Sequence, residues 1–335
     1  MLAKTYEKEY KNTLTRIGGA MLLFILLFNL LNPMGLIVVQ MLEHRLDAKA
    51  IYIIDSVISS AAYMLSFSIP AMFFYMISKN HSPRGVWTEV RMDRRLPLML
   101  VGVIAVCLAT AYINYYIMEI FNYSSFYDMY LPDDPLDENY KLILAIISTA
   151  LVPALCEEYL FRGVILTNLL PYGKISAVVI SAVLFGIMHQ NPGQILYTTV
   201  AGIALGLVYV HTRSLWGGVL IHFFNNLFSV FEQLLSDRLH AETANKICYI
   251  IEAVVFVAGL VCIVILILTN RKQKKDFSSG SFGVVYEPDG NYIERPLRRG
   301  GIGTMFASPT IIIFACISFA EMLLYIFMAL GVISL

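Results

Sequence analysis

The sequence predicts an all-α polytopic integral membrane protein, a bundle of about nine transmembrane helices. Of 335 residues, 58% are apolar and only 14% are charged, against about 45–50% apolar and about 25% charged in an ordinary soluble domain. Mean hydropathy is +0.69. The apolar residues fall into long uncharged runs, which is the pattern a bilayer demands and a water-soluble core does not. The 24 Lys and Arg match 24 Asp and Glu, so no broad basic surface exists for nucleic acid. The composition also excludes disorder over most of the chain.

A hydrocarbon core about 30 Å thick needs about 20 apolar helical residues. Nine runs approach or exceed that length: 17–42, 51–77, 96–121, 142–170, 175–189, 195–212, 215–235, 247–269 and 310–333. The first follows a polar segment carrying Lys4, Lys8, Lys11 and Arg16. It is too long for a cleavable leader and lacks a small-residue cleavage site, so it reads as a signal anchor. Asn29, Asn32 and Pro33 predict a kink within it. The third and fourth runs are long enough to tilt or project, and the fifth is short. In the sixth, Gly202 and Gly206 form a small-xxx-small pair that permits close helix packing.

Loop charges set the orientation. Lys79, Arg84, Arg91, Arg94 and Arg95 form one basic loop, and Arg271, Lys272, Lys274 and Lys275 another. Nine spans with a cytoplasmic amino terminus put both inside, and the acidic loop with Asp128, Asp133, Asp134, Asp137 and Glu138 outside. The polar interval 270–308 lacks a sustained apolar period and reads as a cytoplasmic loop. The organisation expected is a cytoplasmic segment 1–16, amino-terminal helices and loops 17–141, a core 142–235 (spans four to seven), and carboxy-terminal helices 236–335. Cys107, Cys156, Cys248, Cys262 and Cys316 lie in apolar stretches without CxxC spacing and read as packing residues.

An ionisable group at membrane depth costs roughly 3 kcal/mol on the insertion scale, so each needs a partner or a task. The fourth span carries Glu157, Glu158 and Arg162. Glu158 and Arg162 stand at i, i+4 with the acid first, which pairs them and leaves Glu157 about 100° round the axis without a cation. The fifth span ends at His189, and the seventh carries His222 and Asn226 on one helix face. Either histidine alone reads as a hydrogen-bonded packing residue. Measured from a turn near Tyr172 and Gly173, Glu157 and His189 both lie roughly 23–24 Å deep; from a turn near Arg213, His222 and Asn226 lie roughly 14–20 Å deep. Tilt and side-chain length close that difference, so the groups can meet.

A carboxylate beside a histidine in a dry cavity can take a proton from water and return it to a leaving amine. Asn226 and a protonated His222 could donate hydrogen bonds to a tetrahedral oxyanion. No serine or cysteine is placed as a nucleophile, Cys156 included. Glu157, His189 and His222 would also serve as zinc ligands, although the HExxH spacing of a zincin is absent. The reading that needs no cofactor is preferred, with zinc as the alternative.

Glu157 to Gly163 (EEYLFRG), Phe185 to His189 (FGIMH) and His222 to Asn226 (HFFNN) resemble the EExxxR, FxxxH and HxxxN motifs of the CPBP (CAAX protease and bacteriocin-processing, Abi) intramembrane protease family, which includes the type II CAAX prenyl endopeptidases. The resemblance covers roughly 142–230. It implies that Glu157 activates water with help from His189, that His222 and Asn226 bind the oxyanion, and that Glu158 and Arg162 organise the site. The expectation is a multi-pass cell-membrane endopeptidase acting on a peptide or membrane-anchored protein, with no nucleic-acid partner and an oligomeric state the sequence does not define. An ion-coupled transporter and a noncatalytic immunity or scaffold protein are the alternatives. The first would gain support from inverted repeats or paired broken helices, which are not visible in the sequence.

Overall fold

The computed structural model describes residues 2–78, 93–120, 135–270, 282–286, 292–296 and 302–329. Among these, nine long helices follow the nine apolar runs. They are α1 (Leu2–Glu43), α2 (Ala48–Ile77), α3 (Leu96–Ile120), α4 (Asn139–Tyr172), α5 (Lys174–Met188), α6 (Pro192–Thr212), α7 (Leu215–Arg238), α8 (Ala241–Asn270) and α9 (Pro309–Ala329). The chain is a multi-pass membrane protein: seven of these helices are long and apolar enough to cross a bilayer. The other two are α5 and α7. At 15 residues α5 is about 22 Å long by helical rise, short of the hydrocarbon core. α7 is long enough, but His222, Asn225, Asn226, Glu232 and Gln233 lower its hydropathy.

Helix ends follow their sequence signals. Asp47 caps α2 by accepting from the Ala50 amide at 2.8 Å, and Asn191 caps α6 by accepting from Gly193 at 2.8 Å, with Pro192 in the first turn. The α4–α5 turn falls at Gly173, whose φ of 137° suits glycine, and the α6–α7 turn at Arg213 in the left-handed region. Those are the two turns from which the depths of the polar residues were measured. Pro33 does not end α1, which runs unbroken past it, with Asn32 bonded back to the Phe28 carbonyl at 2.8 Å.

The core is a layer of α1, α2, α4, α5 and α9 side chains, including Leu14, Phe24, Phe67, Phe161, Leu184 and Phe314. A second cluster joins α3 (Leu96, Met99, Val103) to α6 (Leu205, Val208) and Ile221 of α7. The outward faces are apolar too, as on α8, where Val254, Val257, Leu260, Val261 and Val264 are exposed. Such faces are stable against lipid, not water. Acidic residues without a sequence partner find one across helices: Glu321 of α9 accepts from Asn29 at 2.6 Å, and Glu252 of α8 accepts from the Tyr112 hydroxyl of α3.

The interval 270–308 is not simply a loop. β1 (Phe282–Tyr286) and β2 (Tyr292–Pro296) pair antiparallel, with Phe282 opposite Pro296, and a 3₁₀ turn covers Ile302–Ala307. These five-residue runs are rich in Val, Ile, Tyr and Phe, which favour strand. The rest of the interval lies outside the described residues. So do the basic positions Lys79, Arg84, Arg91, Arg271, Lys272, Lys274 and Lys275 and the acidic positions Asp128, Asp133 and Asp134.

The glycine pair of α6 brings backbones close: a Cβ on Gly202 would lie 3.0 Å from the Ala182 Cα of α5. The reciprocal contact is tighter, since a Cβ on Gly186 of α5 would lie 1.9 Å from Thr199 Oγ1 and 2.9 Å from the Ile195 carbonyl. Gly186→Ala is therefore expected to destabilise the fold by about 1–3 kcal/mol, read as a lowered thermal midpoint in detergent. An unchanged midpoint would contradict the α5–α6 packing.

Candidate active site

α4 is not a uniform α-helix. Its segment Val152–Glu158 is α-helical and is flanked by π-helical stretches at Ile146–Leu151 and Tyr159–Leu166. Such wide turns, with i→i+5 bonds, recur at functional sites. They also disturb the regular pairing of carbonyls, which inside a bilayer must find donors within the protein. Here side chains supply them. Ser181 of α5 donates to Phe161 O at 2.9 Å, Thr167 to Arg162 O at 2.8 Å, and Asn226 of α7 to Thr149 O at 3.2 Å.

The two glutamates leave α4 at its buried middle and meet different neighbours. Glu158, fully buried, accepts from Arg162 Nη1 at 2.7 Å and faces His222 Nδ1 at 3.0 Å on the same oxygen. The i, i+4 pairing read from the sequence thus survives the π turn, with a histidine from α7 added. Arg162 is buried with it, donates to the Gly202 carbonyl at 3.2 Å, and lays its guanidinium 4.6 Å from the centre of the Phe185 ring. A buried carboxylate and guanidinium without such partners would be strongly destabilising.

Glu157 has no lysine or arginine bonded to it among the described residues. Its Oε1 accepts from the Tyr63 hydroxyl of α2. Its Oε2 is buried, has no hydrogen-bond partner, and stands 3.7 Å from His222 Nε2. The tilt needed to bring α7 level with α4 is therefore present. With Nδ1 directed at the Glu158 carboxylate, which only accepts, His222 carries a proton there and turns its Nε2 toward Glu157.

His189 caps the end of α5. Its Nδ1 lies 2.8 Å from the Phe185 carbonyl; a carbonyl only accepts, so this nitrogen holds the proton and Nε2 presents a lone pair when the ring is neutral. The Phe185 ring stands edge-on to both imidazoles, 5.1 Å from His189 and 6.1 Å from His222 between centroids. Phe185 is thus the common wall between Arg162 and the two histidines. Among the described residues no hydrogen bond joins His189 to Glu157, so these two are neighbours about the same ring and not a bonded pair. Asn226 sits one turn along α7 from His222, half-buried, with one amide hydrogen on Thr149; its Oδ1 accepts from Asn225 at 3.3 Å. Among the described residues, no three His, Cys, Asp or Glu side chains converge as a metal set would require.

Sequence reasoning missed Tyr63, which lies in another span with no motif around it, and Asn225, which bonds to Tyr197 of α6 at 2.6 Å. It also missed Gly218, one turn before His222. Its small size was the available signal.

Residues 139–228 match the family described as type II CAAX prenyl endopeptidase Rce1-like. Over that segment the chain is similar to the CAAX-protease-like membrane peptidases. All seven motif residues fall inside the matched segment. YdiL of Bacillus subtilis (strain 168), named as a candidate membrane peptidase, is 33% identical over 110 residues. That stretch is 32% of this chain and 44% of YdiL, so the likeness spans less than half of the relative. No solved structure matches the chain.

A Cβ on Gly218 would lie 2.7 Å from Glu158 Oε2, a carboxylate pinned by both Arg162 and His222 and unable to yield freely. Gly218→Ala is expected to cost about 1–3 kcal/mol of stability, whereas Gly303→Ala, with open space around its Cβ, leaves the thermal midpoint where it is. Equal effects of the two substitutions would contradict the packing of α7 against Glu158.

Proposed function

We propose that this chain is an intramembrane endopeptidase that hydrolyses a peptide bond with water activated by Glu157. The observation that carries this reading is the buried, hydrogen-bond-free Oε2 of Glu157 facing His222 Nε2 at 3.7 Å. Glu158 Oε2 is likewise without a hydrogen bond, but that carboxylate is paired with Arg162; Glu157 is the one with no guanidinium on it, and it offers the oxygen a general base needs.

In this reading a water bound at Glu157 Oε2 gives up a proton to that oxygen as its own oxygen attacks the scissile carbonyl. The carbonyl π pair moves to the oxyanion, which takes a hydrogen bond from Nε2–H of His222 in its doubly protonated form and a second from the free amide hydrogen of Asn226. The proton held by Glu157 then passes to the leaving nitrogen, the C–N bond breaks, and the carbonyl re-forms. His189, with its Nε2 lone pair, assists proton movement at Glu157. Glu158 and Arg162 keep His222 in orientation and do not themselves react. Expulsion of bulk water by the surrounding apolar side chains strengthens each of these contacts.

The zinc alternative asks Glu157, His189 and His222 to converge on one ion. His189 keeps its Nε2 lone pair for such a role, but among the described residues no three such donors converge as a ligand set would require. No step of this mechanism runs through a metal. The substrate class consistent with the family is a peptide or a membrane-anchored protein.

The test is cleavage of a fluorogenic peptide library by the purified full chain in lipid, with and without chelator. Glu157→Ala and His189→Ala are each expected to lower cleavage by about 10²–10⁴-fold at unchanged folding, and cleavage by the unmodified chain is expected to persist in chelator. Full activity in Glu157→Ala would remove the base, and loss in chelator restored by zinc would replace this mechanism by the metal one. Proton-coupled solute uptake without proteolysis would favour a carrier instead.

A further inference from the structure

We propose that Tyr63 of α2 is a positioning residue for Glu157, an inference that rests on the peptidase reading above. It lies outside the segment matched to the family, so α2 contributes a residue to a site otherwise built from α4, α5 and α7.

The argument starts from the contrast between adjacent carboxylates. Glu158 is held by a guanidinium and an imidazole, charge-assisted contacts roughly twice as strong as neutral ones. Glu157 is held by a neutral phenol. One such donor fixes the group without committing it to a cation. A carboxylate has two oxygens, and its terminal torsion is broad and two-fold. Anchoring Oε1 on Tyr63 is what leaves Oε2 on the side of His222.

The phenol is itself held in place by packing. Its ring stacks on Phe67 at 4.7 Å and 28°, meets the edge of Phe28 at 6.3 Å, and Phe67 in turn packs on Phe24 of α1 at 4.8 Å. Phe24 and Phe67 are each 1% exposed. The hydroxyl position is thus set by the α1–α2 aromatic ladder. Catalysis gains from donors placed before the reaction begins.

Tyr63→Phe keeps the ring stack and removes only the hydroxyl. With the library peptide that the unmodified chain cleaves fastest, kcat is expected to fall about 10–100-fold, the range of one hydrogen bond to a charged group, with KM and the thermal midpoint unchanged. A second readout does not depend on turnover. Dicyclohexylcarbodiimide adds the O–H of a protonated carboxyl across one of its C=N bonds, and the resulting O-acylisourea rearranges to a stable N-acylurea that mass spectrometry locates. The Tyr63 hydroxyl occupies Oε1, so removing it opens that oxygen to the reagent, and Glu157 should label several-fold faster at pH 7 in Tyr63→Phe.

Unchanged kcat with unchanged labelling overturns the proposal. So does a lowered thermal midpoint with kcat and KM falling together and labelling unchanged, because that is the behaviour of a packing tyrosine. If the unmodified chain cleaves no peptide while Tyr63→Phe still accelerates labelling, the peptidase reading fails and the anchoring of Glu157 by Tyr63 stands.

Discussion

One carboxylate organises this molecule. Glu158 sits fully buried in a helix bundle whose outside faces lipid, and one of its oxygens meets Arg162 from its own helix and His222 from α7. In such surroundings the ions cannot be left singly, because separating any of them leaves a charge with neither water nor a partner. The positions of α4 and α7 relative to each other are constrained to satisfy it. α6 joins the same network, since the Gly202 carbonyl takes the second guanidinium nitrogen. The glycine there serves two purposes: its carbonyl is accessible and its missing side chain lets α5 approach.

The neighbouring Glu157 differs by one residue and by its surroundings. It shares the burial of Glu158 but not its cation, and it has one oxygen occupied by a phenol and one unoccupied by any donor. The different surroundings of the two carboxylates are produced by helix geometry, which sends successive side chains about 100° apart. The π-helical turns on both sides of the pair adjust that rotation locally. Their carbonyls are then engaged by Ser181, Thr167 and Asn226. Asn226 is thereby tied to α4 as well as placed near His222, so a residue assigned to chemistry also helps hold the irregular helix.

Much of this was readable in the chain. Hydropathy placed nine helices because lipid imposes a length on each apolar run, and the turns at Gly173 and Arg213 fall where the depth argument needed them. Glu158 and Arg162 pair because their spacing is local. The meeting of His222 with both glutamates was inferable from depth, since depth along a membrane normal is one coordinate the sequence encodes. Rotation about each helix axis is not encoded in that way. Hence Tyr63, which reaches Glu157 from 94 residues away, looked like one more aromatic of α2, and Asn225 looked like the neighbour of a motif residue. The π turns depend on tertiary partners, and the polarity of α7 is tolerated because its polar side chains find acceptors and donors inside the bundle. The strands at 282–286 and 292–296 are too short to outweigh the polar residues around them in a reading tuned to membrane spans.

The account's central claim is that Glu158 and Arg162 form one buried unit on which the site is built. The most direct measurement is a double-mutant cycle on reversible unfolding of the full chain in mixed micelles, using Glu158→Gln, Arg162→Met and the pair. Each single change is expected to cost about 3–5 kcal/mol and the double change clearly less than their sum. Strictly additive losses, or single losses near zero, would contradict it.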